Sequence, residues 1–221
     1  ESFFSTLKVE LIQGNVYSTS QETKTAIFDY MEPILNKINL GCGQYPKEGF
    51  LNIDVDPNSK ADKIVDFNRL SQDLPNNHFE LVEADHFLEH LDDPMKMMKE
   101  IHRILKPGGI LHMRVPHFSR GFTHWEHKRG FDVSYPLYFQ KDFAGGYVGI
   151  EFKLKKMRLC WFAQPTLKKS VLSSFQFLVG SILGKLIDFF CNLSPYSCSR
   201  IWCFWVGGFE EIEFIFMKPE N

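Results

Sequence analysis

The pattern of hydrophobic and polar positions predicts alternating strands and helices between residues 37 and 116. Short apolar runs, each followed by a polar or glycine-containing turn, are typical of buried strands. Strands alternating with helices indicate an α/β domain with a parallel sheet. The strands predicted in this part of the chain are 38–40, 51–55, 63–66, 79–84 and 110–115.

A helix is predicted between the fourth and fifth of these strands. Asp93 is a suitable N-cap, and Pro94 is tolerated at the first helical position. The Pro-Gly-Gly sequence at 107–109 is predicted to end the helix. Its predicted apolar face consists of Met97, Met98, Ile101, Ile104 and Leu105.

The rest of the chain is predicted to flank this core. An N-terminal helix is expected over 22–35, with Ser20 as a plausible N-cap. After the fifth strand the pattern predicts a short helix, a sixth strand, a helical insertion and a last strand. These elements are expected at 134–143, 152–162, 166–192 and 211–217.

The turn after the first predicted strand is the first candidate for chemistry. Two glycines, Gly41 and Gly43, allow the backbone to approach a ligand closely. The second strand ends near Asp54, whose carboxylate can accept hydrogen bonds from a ribose diol. These residues fit a nucleoside-cofactor site at the carboxyl ends of parallel strands, although an ordinary tight turn has the same short pattern.

Several further motifs have the order and spacing of one known family. They are LGCG at 40–43, DVDP at 54–57, VDF at 65–67, the run from 79 to 91 that ends in LEHL, EIHRILKPGG at 100–109, and RVP at 114–116. Together they resemble the class I S-adenosylmethionine-dependent methyltransferases. The resemblance implies a methyltransferase that uses S-adenosylmethionine. It also implies a Rossmann-like, mostly parallel sheet whose last strand is antiparallel.

The resemblance implies a set of cofactor-binding residues at the strand ends. Asp54 would bind the ribose hydroxyls, and Asp66 with Phe67 would hold the adenine. Asp85 and His86, after the fourth strand, face the same crevice and would contact cofactor or substrate. The complete set is Leu40, Gly41, Cys42, Gly43, Asp54, Val55, Asp66, Phe67, Asp85 and His86. The Leu88-Glu89-His90 stretch marks the family and is expected to have a structural role.

One departure concerns the first crossover. Residues 44–50 are too few for the full helix that normally follows the first strand in this family, and they include a proline and a glycine. A loop is therefore expected to make the crossover. This argues against a nicotinamide site, which needs a helix N-terminus aimed at a pyrophosphate.

Three histidines follow the fifth strand, where the resemblance places the methyl acceptor. They are His117, His124 and His127, with Glu126 between the last two. A neutral histidine can take a proton from an attacking hydroxyl, and His117 is favoured because it lies closest to the strand. An anchoring role for these histidines has equal weight. A metal site is a third interpretation, but their spacing fits no common zinc pattern and no metal is assigned.

Composition and charge limit the partners. The formal net charge of −2 over 221 residues gives no sign of a nucleic-acid-binding protein. Basic residues near the histidines fit an anionic acceptor, and they fit ordinary solvated side chains at least as well. The resemblance implies a small or glycan-like acceptor, with methylation on oxygen as the first choice. An N- or macromolecule methyltransferase and a non-catalytic binding protein are the alternatives. Five cysteines without a C-x-x-C pair favour a reducing, cytoplasmic setting.

The chain is expected to form a single domain. Its predicted parts are a cover segment (1–36), the cofactor-binding core (37–116), a substrate-side loop and strand (117–162), a helical lid (166–206) and the last strand (210–218). An apolar stripe over 171–190 predicts an amphipathic helix, because Lys185 and Asp188 interrupt a membrane span. Packing on its own domain is expected for this stripe. Peripheral membrane contact and a homodimer are alternatives, and the oligomeric state is left open.

Overall fold

The computed structural model describes residues 35–67, 70, 74–120 and 124–220. Nearly all of the predicted N-terminal helix and cover segment lies outside these residues. Seven strands form one sheet: β1 Lys37–Leu40, β2 Leu51–Asp54, β3 Lys63–Ile64, β4 Phe79–Asp85, β5 Leu105–Pro116, β6 Lys153–Cys160 and β7 Glu211–Met217. The α-helices in the described residues are α1 Pro94–Ile104, α2 Pro165–Val171, α3 Ser174–Cys191 and α4 Pro195–Arg200. Short 3₁₀ helices lie at Leu88–His90, Tyr135–Phe139 and Trp202–Phe204.

The strand order in the sheet is β3-β2-β1-β4-β5-β7-β6. The first five strands pair in parallel, while β7 lies between β5 and β6 and is antiparallel to both. The predicted α/β sheet with an antiparallel last strand is therefore confirmed. The carboxyl ends of β1, β2, β4, β5 and β6 meet at one edge, together with the start of β7.

The two faces of this sheet differ in polarity. One face carries buried aliphatic and aromatic side chains, such as Ile38, Val82 and Phe214, which join the core. The other face carries polar side chains at positions that lie side by side in the strand register. These are Asn39, Asn52, Glu83, Asp85, His112, Arg114, Glu211, Glu213, Lys156 and Arg158. The strands accordingly alternate in the sequence, whereas strands covered on both faces are apolar throughout.

The connections explain the polar face. Residues 41–50 and 55–62 contain turns and bends but no helix, so loops join β1 to β2 and β2 to β3. The predicted loop crossover is confirmed. In a parallel sheet, crossover helices supply the apolar cover, and none comes from these two connections.

The helix between β4 and β5 begins as predicted and ends earlier than predicted. The Asp93 carboxylate accepts the Lys96 backbone N–H at 2.9 Å. The helix ends at Ile104, and the Pro-Gly-Gly sequence lies inside β5, where the pairing with β4 shifts register. A Cβ on Gly109 would lie 2.8 Å from the Lys106 carbonyl oxygen. The glycines therefore permit a bulge in the strand and do not form a separate turn.

The predicted insertion helix is two helices. Ser173 caps α3 in a reciprocal capping box with Gln176, and the chain is extended at Leu172. Gly180 and Gly184 face the Phe162 side chain, which a Cβ at either glycine would approach to 2.8 Å or less. The glycines thus allow α3 to dock closely on the domain.

The expectation that the apolar stripe packs on its own domain is wrong. Within α3 only Gly184, Asp188 and Cys191 are buried. The stripe residues lie on the other faces of α3, and most of their large side chains are exposed. The sequence period located the apolar residues correctly but could not show that the domain contacts the narrow glycine-containing edge instead.

Candidate functional site

The glycine turn at the end of β1 is held against β2. Gly41 and Cys42 donate backbone hydrogen bonds to the Ile53 carbonyl at 2.9 and 3.2 Å. Gly41 has φ +67°, and a Cβ there would lie 2.5 Å from the Phe87 ring. Gly43 has φ +51°, with no atom within 4 Å of its Cβ position. The turn is thus packed on one side and open on the other, as a ligand cradle requires.

Asp54 is connected to this turn. Its side chain is nearly buried and accepts backbone N–H groups from Gly43 at 2.7 Å and Asp56 at 2.9 Å. The turn role and the ligand role are therefore compatible, because each carboxylate oxygen can accept a second hydrogen bond. Fixed carboxylate geometry of this kind suits a ribose diol.

The other predicted cofactor residues lie around the same edge. Val55 directly follows Asp54 and is largely exposed, Asp66 is exposed, and the Phe67 ring meets Phe87 edge-on at 4.6 Å. Leu40 and Cys42 are buried below the turn. Burial, with the nearby Asp54 carboxylate, raises the pKa of the Cys42 thiol to about 11, so this cysteine is neutral. The structure therefore brings together apolar surface and carboxylates beside the glycine turn.

Asp85, at the end of β4, lies in an ion-pair network. Its Oδ2 atom accepts Lys47 Nζ at 2.9 Å and Arg114 Nη1 at 3.0 Å. Lys47 also pairs with Glu83. The Asp85 Oδ1 atom is buried and has no hydrogen-bond partner among the described residues. A buried acceptor of this kind is available to a hydroxyl or amino group of a ligand.

Lys47 was not predicted as a site residue. It lies in the loop that replaces the first crossover helix, and it connects that loop to β4 through Glu83 and Asp85. The hydrogen bond from His112, together with Lys47, holds the pKa of the Glu83 carboxyl at about 2. No short motif marks this lysine, because its partners lie 36 and 38 positions away in the chain.

His86 has a left-handed backbone, φ +51°, and two carboxylate partners. Its Nε2 lies 2.8 Å from Glu211, and its Nδ1 lies 3.2 Å from Glu89. Burial lowers its pKa, but the Glu211 and Glu89 hydrogen bonds outweigh burial and raise it to about 9. His86 is therefore a cation at neutral pH that pairs with two carboxylates and is unable to act as a base.

His117 is enclosed. It has no exposed surface, and its ring nitrogens contact the hydroxyls of Ser119 at 2.7 Å and Ser199 at 2.9 Å. Ser199 in turn donates to Asp132 at 2.6 Å. Burial lowers the pKa of His117 to about 4. The ring connects the end of β5 to α4, which fits the anchoring interpretation. A general base has to reach the proton of its substrate, and this ring has no exposed surface.

His124 and His127 form a cluster with His90. The His124 and His127 ring centres are 4.8 Å apart, and those of His90 and His127 are 5.0 Å apart. Glu89 is fully buried beneath them, with Oε1 3.8 Å from His127 Nε2. The loop after β5 is held here because the Lys128 N–H donates to the Glu89 carbonyl at 3.0 Å. The Leu88-Glu89-His90 stretch thus supports the histidine loop.

The distances within this histidine cluster can be compared with those of a metal site. Glu89, His90 and His127 each place one ligand atom within 4.8 Å of the others. Metal-bound atoms lie closer, with each bond near 2.0–2.2 Å for zinc. The ligand atoms are therefore further apart than those around a bound metal. Glu89 already has His86 as a cationic partner.

A cavity of about 480 Å³ adjoins the ends of β4 and β5. Asp85, His86 and Glu211 line its sheet side, and Lys185 of α3 lines the opposite side. Its charged lining contains both signs: Asp85, His86, Arg114, Arg158, Lys185, Asp188 and Glu211. Glu211 was not predicted as a site residue, because in the sequence it is one polar position of an alternating strand. The cavity lies where open α/β sheets bind their ligands.

Two family models match parts of the sequence. A family model described as methyltransferase domain matches residues 50–113. A model described as integrase core domain matches residues 1–41, of which only 35–41 are described here. No curated protein matches the sequence.

Two solved structures are similar to this chain, and only the first has a TM-score above 0.5. The S-adenosylmethionine-dependent methyltransferase of Mesorhizobium loti is 14% identical, with 86% of this chain and 95% of that chain covered at a TM-score of 0.51. The SAM-dependent methyltransferase of Archaeoglobus fulgidus is 15% identical, with 98% and 100% covered at a TM-score of 0.49. At these identities the likeness concerns the fold.

Proposed function

We propose that this chain, a methyltransferase of the class I fold with S-adenosylmethionine as its cofactor, methylates an oxygen atom of a small or glycan-like, anionic acceptor. The observation that carries the proposal is the cavity beside Asp85 and His86. It adjoins the strand ends where the predicted cofactor residues converge, and it contains cationic side chains.

The residues at the β1 and β2 ends fit the cofactor. The open side of Gly43 leaves room for a ligand, and the fixed Asp54 carboxylate suits the ribose hydroxyls. The exposed Val55 side chain and the Phe67 ring offer apolar surface for the adenine. When bound, S-adenosylmethionine supplies an electrophilic methyl group on a sulfonium.

The cavity supports an acceptor that is small or is the end of a larger chain. Its volume lies in the range of small-molecule sites. Arg114 and Arg158 have carboxylate partners in Asp85 and Asp188, whereas Lys185 is exposed and forms no ion pair with a described residue. Lys185 would therefore bind the negative group of the acceptor.

Because His117 is enclosed, His127 and His124 are the remaining candidates for the general base. Both lie on the loop after β5, beside the Glu89 and His86 pair, and neither is enclosed as His117 is. Their role would be to take the proton as the acceptor oxygen forms its bond to the methyl group. Alignment of the acceptor in the cavity would supply the rest of the rate enhancement.

The acceptor class is tested with pairs of compounds that differ only in a phosphate or carboxylate, such as sugar phosphates and the same neutral sugars. Methyl transfer is measured for wild type, Lys185→Ala and Lys169→Ala. Lys169 is an exposed lysine on α2 outside the cavity, so it is the matched control. We expect KM for the anionic compounds to rise about tenfold in Lys185→Ala only. Equal rates for charged and neutral compounds would contradict the proposal.

The base is tested with His127→Gln and His124→Gln. We expect kcat to fall about 10²- to 10⁴-fold in at least one variant, while cofactor affinity is unchanged. Metal content is measured in wild type and His90→Gln. A stoichiometric metal in wild type that His90→Gln loses would replace the base hypothesis by the metal interpretation.

A further inference from the structure

The segment 165–206, here called the insertion, contains α2, α3, α4 and the 3₁₀ helix Trp202–Phe204. It exposes sixteen of the twenty-two large apolar side chains that are solvent-exposed in the described residues, and four of the sixteen are 70% exposed or more. The sixteen are Leu167, Val171, Phe175, Leu178, Val179, Ile182, Leu183, Leu186, Phe189, Phe190, Leu193, Tyr196, Ile201, Trp202, Phe204 and Trp205. Such a concentration marks an interaction surface.

The outward direction of this surface follows from how α3 is docked. Asp188 accepts the Trp161 backbone N–H at 2.7 Å and pairs with Arg158 at 3.2 Å. Asn192, just after α3, forms two hydrogen bonds with the Leu159 backbone at 2.8 Å. With the Gly184 contact to Phe162, these bonds hold one edge of the helix along its length. The apolar side chains on its remaining faces cannot turn inward.

Positive charge is in excess around this surface. Residues 153–206 contain eight basic residues and one acidic residue, Asp188, which is buried. The basic residues are Lys153, Lys155, Lys156, Arg158, Lys168, Lys169, Lys185 and Arg200. The whole chain is nearly neutral, so this is a local concentration of positive charge.

Four of these basic residues pair with carboxylates, namely Lys156 with Glu213, Arg158 with Asp188, Lys168 with Glu210 and Arg200 with Asp132. The exposed Lys153, Lys155, Lys169 and Lys185 form no ion pair with a described residue. A binding partner complementary to this surface is both apolar and negatively charged.

We propose that the insertion binds the surface of a lipid bilayer that contains anionic headgroups. The exposed leucine, isoleucine and phenylalanine side chains enter the boundary between headgroups and acyl chains, and the lysines face the headgroups. Trp202, Trp205 and Tyr196 have the amphipathic rings that favour this boundary. This binding does not depend on the proposed methyl transfer.

The helix lies along the bilayer and does not cross it. By length and composition α3 resembles a span, with a mean hydropathy of 1.4 over eighteen residues of which 11% are buried. A span would have to leave the domain, which would break the Asp188 and Asn192 hydrogen bonds and expose the Gly184 edge. Docked as it is, α3 presents about 27 Å of apolar surface parallel to the domain.

A second copy of this chain fits the apolar surface of the insertion less well than anionic lipid does. A twofold interface places the same patch on both sides. Here it would bring together two groups of four exposed lysines that form no ion pair with a described residue, Lys153, Lys155, Lys169 and Lys185 of each copy. Anionic lipid removes this repulsion.

The test is flotation of the purified chain with phosphatidylcholine vesicles and with vesicles that also contain phosphatidylglycerol. We expect binding to increase at least tenfold with phosphatidylglycerol and to weaken when salt rises from 0.1 to 0.5 M. Ile182→Glu should reduce binding at least tenfold, and Tyr147→Glu, an exposed site outside the insertion, should not. Both substitutions affect exposed side chains, and circular dichroism checks their folding.

Two results would overturn the proposal. One is a folded wild type that floats with neither kind of vesicle, or that binds both equally at low salt. The other is a stable dimer in light scattering that Ile182→Glu converts to monomer without any effect on vesicle binding, which would assign the surface to a second copy.

Discussion

The carboxylate of Asp54 accepts the backbone N–H of Gly43 at 2.7 Å, so the end of β2 fixes the turn at the end of β1. The same carboxylate also accepts the N–H of Asp56. One side chain thus shapes two loops of the candidate cofactor site. Its removal should affect both stability and cofactor binding.

Asp54→Ala should lower the free energy of unfolding by about 1–3 kcal/mol, because two backbone donors lose a charged acceptor. Asp56→Ala is the matched control. Asp56 is an exposed carboxylate that accepts hydrogen bonds from its neighbour Asn58. Urea denaturation measures both variants. If Asp54→Ala is no less stable than Asp56→Ala, the carboxylate does not hold the turn.

Gly41→Ala should destabilise the protein more than Gly43→Ala. Both glycines have positive φ, which costs an L-residue about 1–2 kcal/mol. Only at Gly41 would the new Cβ also meet the Phe87 ring, at 2.5 Å, which adds about 1–3 kcal/mol. Thermal unfolding of the two variants compares them directly. Equal destabilisation would show that Phe87 gives way.

Ser199→Ala should destabilise the fold without changing kcat. The substitution removes the hydroxyl that lies between His117 and Asp132, and a buried polar group left unpaired costs about 1–3 kcal/mol. Ser197→Ala, an exposed serine on the same helix, should be close to neutral. If Ser199→Ala instead shifts the pH profile of kcat, His117 takes part in the reaction after all.

The ion pairs of His86 lead us to expect that the protein loses stability at alkaline pH. Its pKa is raised from the usual 6.5 to about 9, so its ion pairs contribute fully below pH 6.5 and are lost as pH rises through 9. Urea denaturation from pH 6 to 10 should show a decline that is absent in His86→Asn, since asparagine tolerates a positive φ. The burial-lowered pKa of His117 acts oppositely, because its contribution is present above pH 6.5 and is lost as pH falls toward 4. Parallel curves for wild type and His86→Asn would contradict the assignment.

The sequence predicted the sheet and the glycine turn after β1 well because both depend on local patterns. Strand alternation such as Ile38-Asn39-Leu40 records which side of the sheet is apolar. Glycines such as Gly41 and Gly43, which have positive φ, indicate where the chain turns. The seven residues after Gly43 are too few for a full helix, which indicates a loop crossover.

The substrate side was harder because its contacts are long-range. The fold alone brings Lys47 into contact with Asp85. It also brings His86 into contact with Glu211, which lies 125 positions away in the chain. His117 was favoured as a base for its position after β5, yet burial beside Ser199 decides its chemistry. The apolar stripe of α3 could be located by period, but its exposure depends on which edge docks.

The most direct test of the cofactor site is calorimetric titration of S-adenosylmethionine into wild type, Asp54→Ala and Asp56→Ala. The account predicts micromolar binding by wild type and Asp56→Ala, and binding at least a hundredfold weaker by folded Asp54→Ala. Folded wild type that binds no S-adenosylmethionine at millimolar concentration would contradict it, as would full affinity in Asp54→Ala.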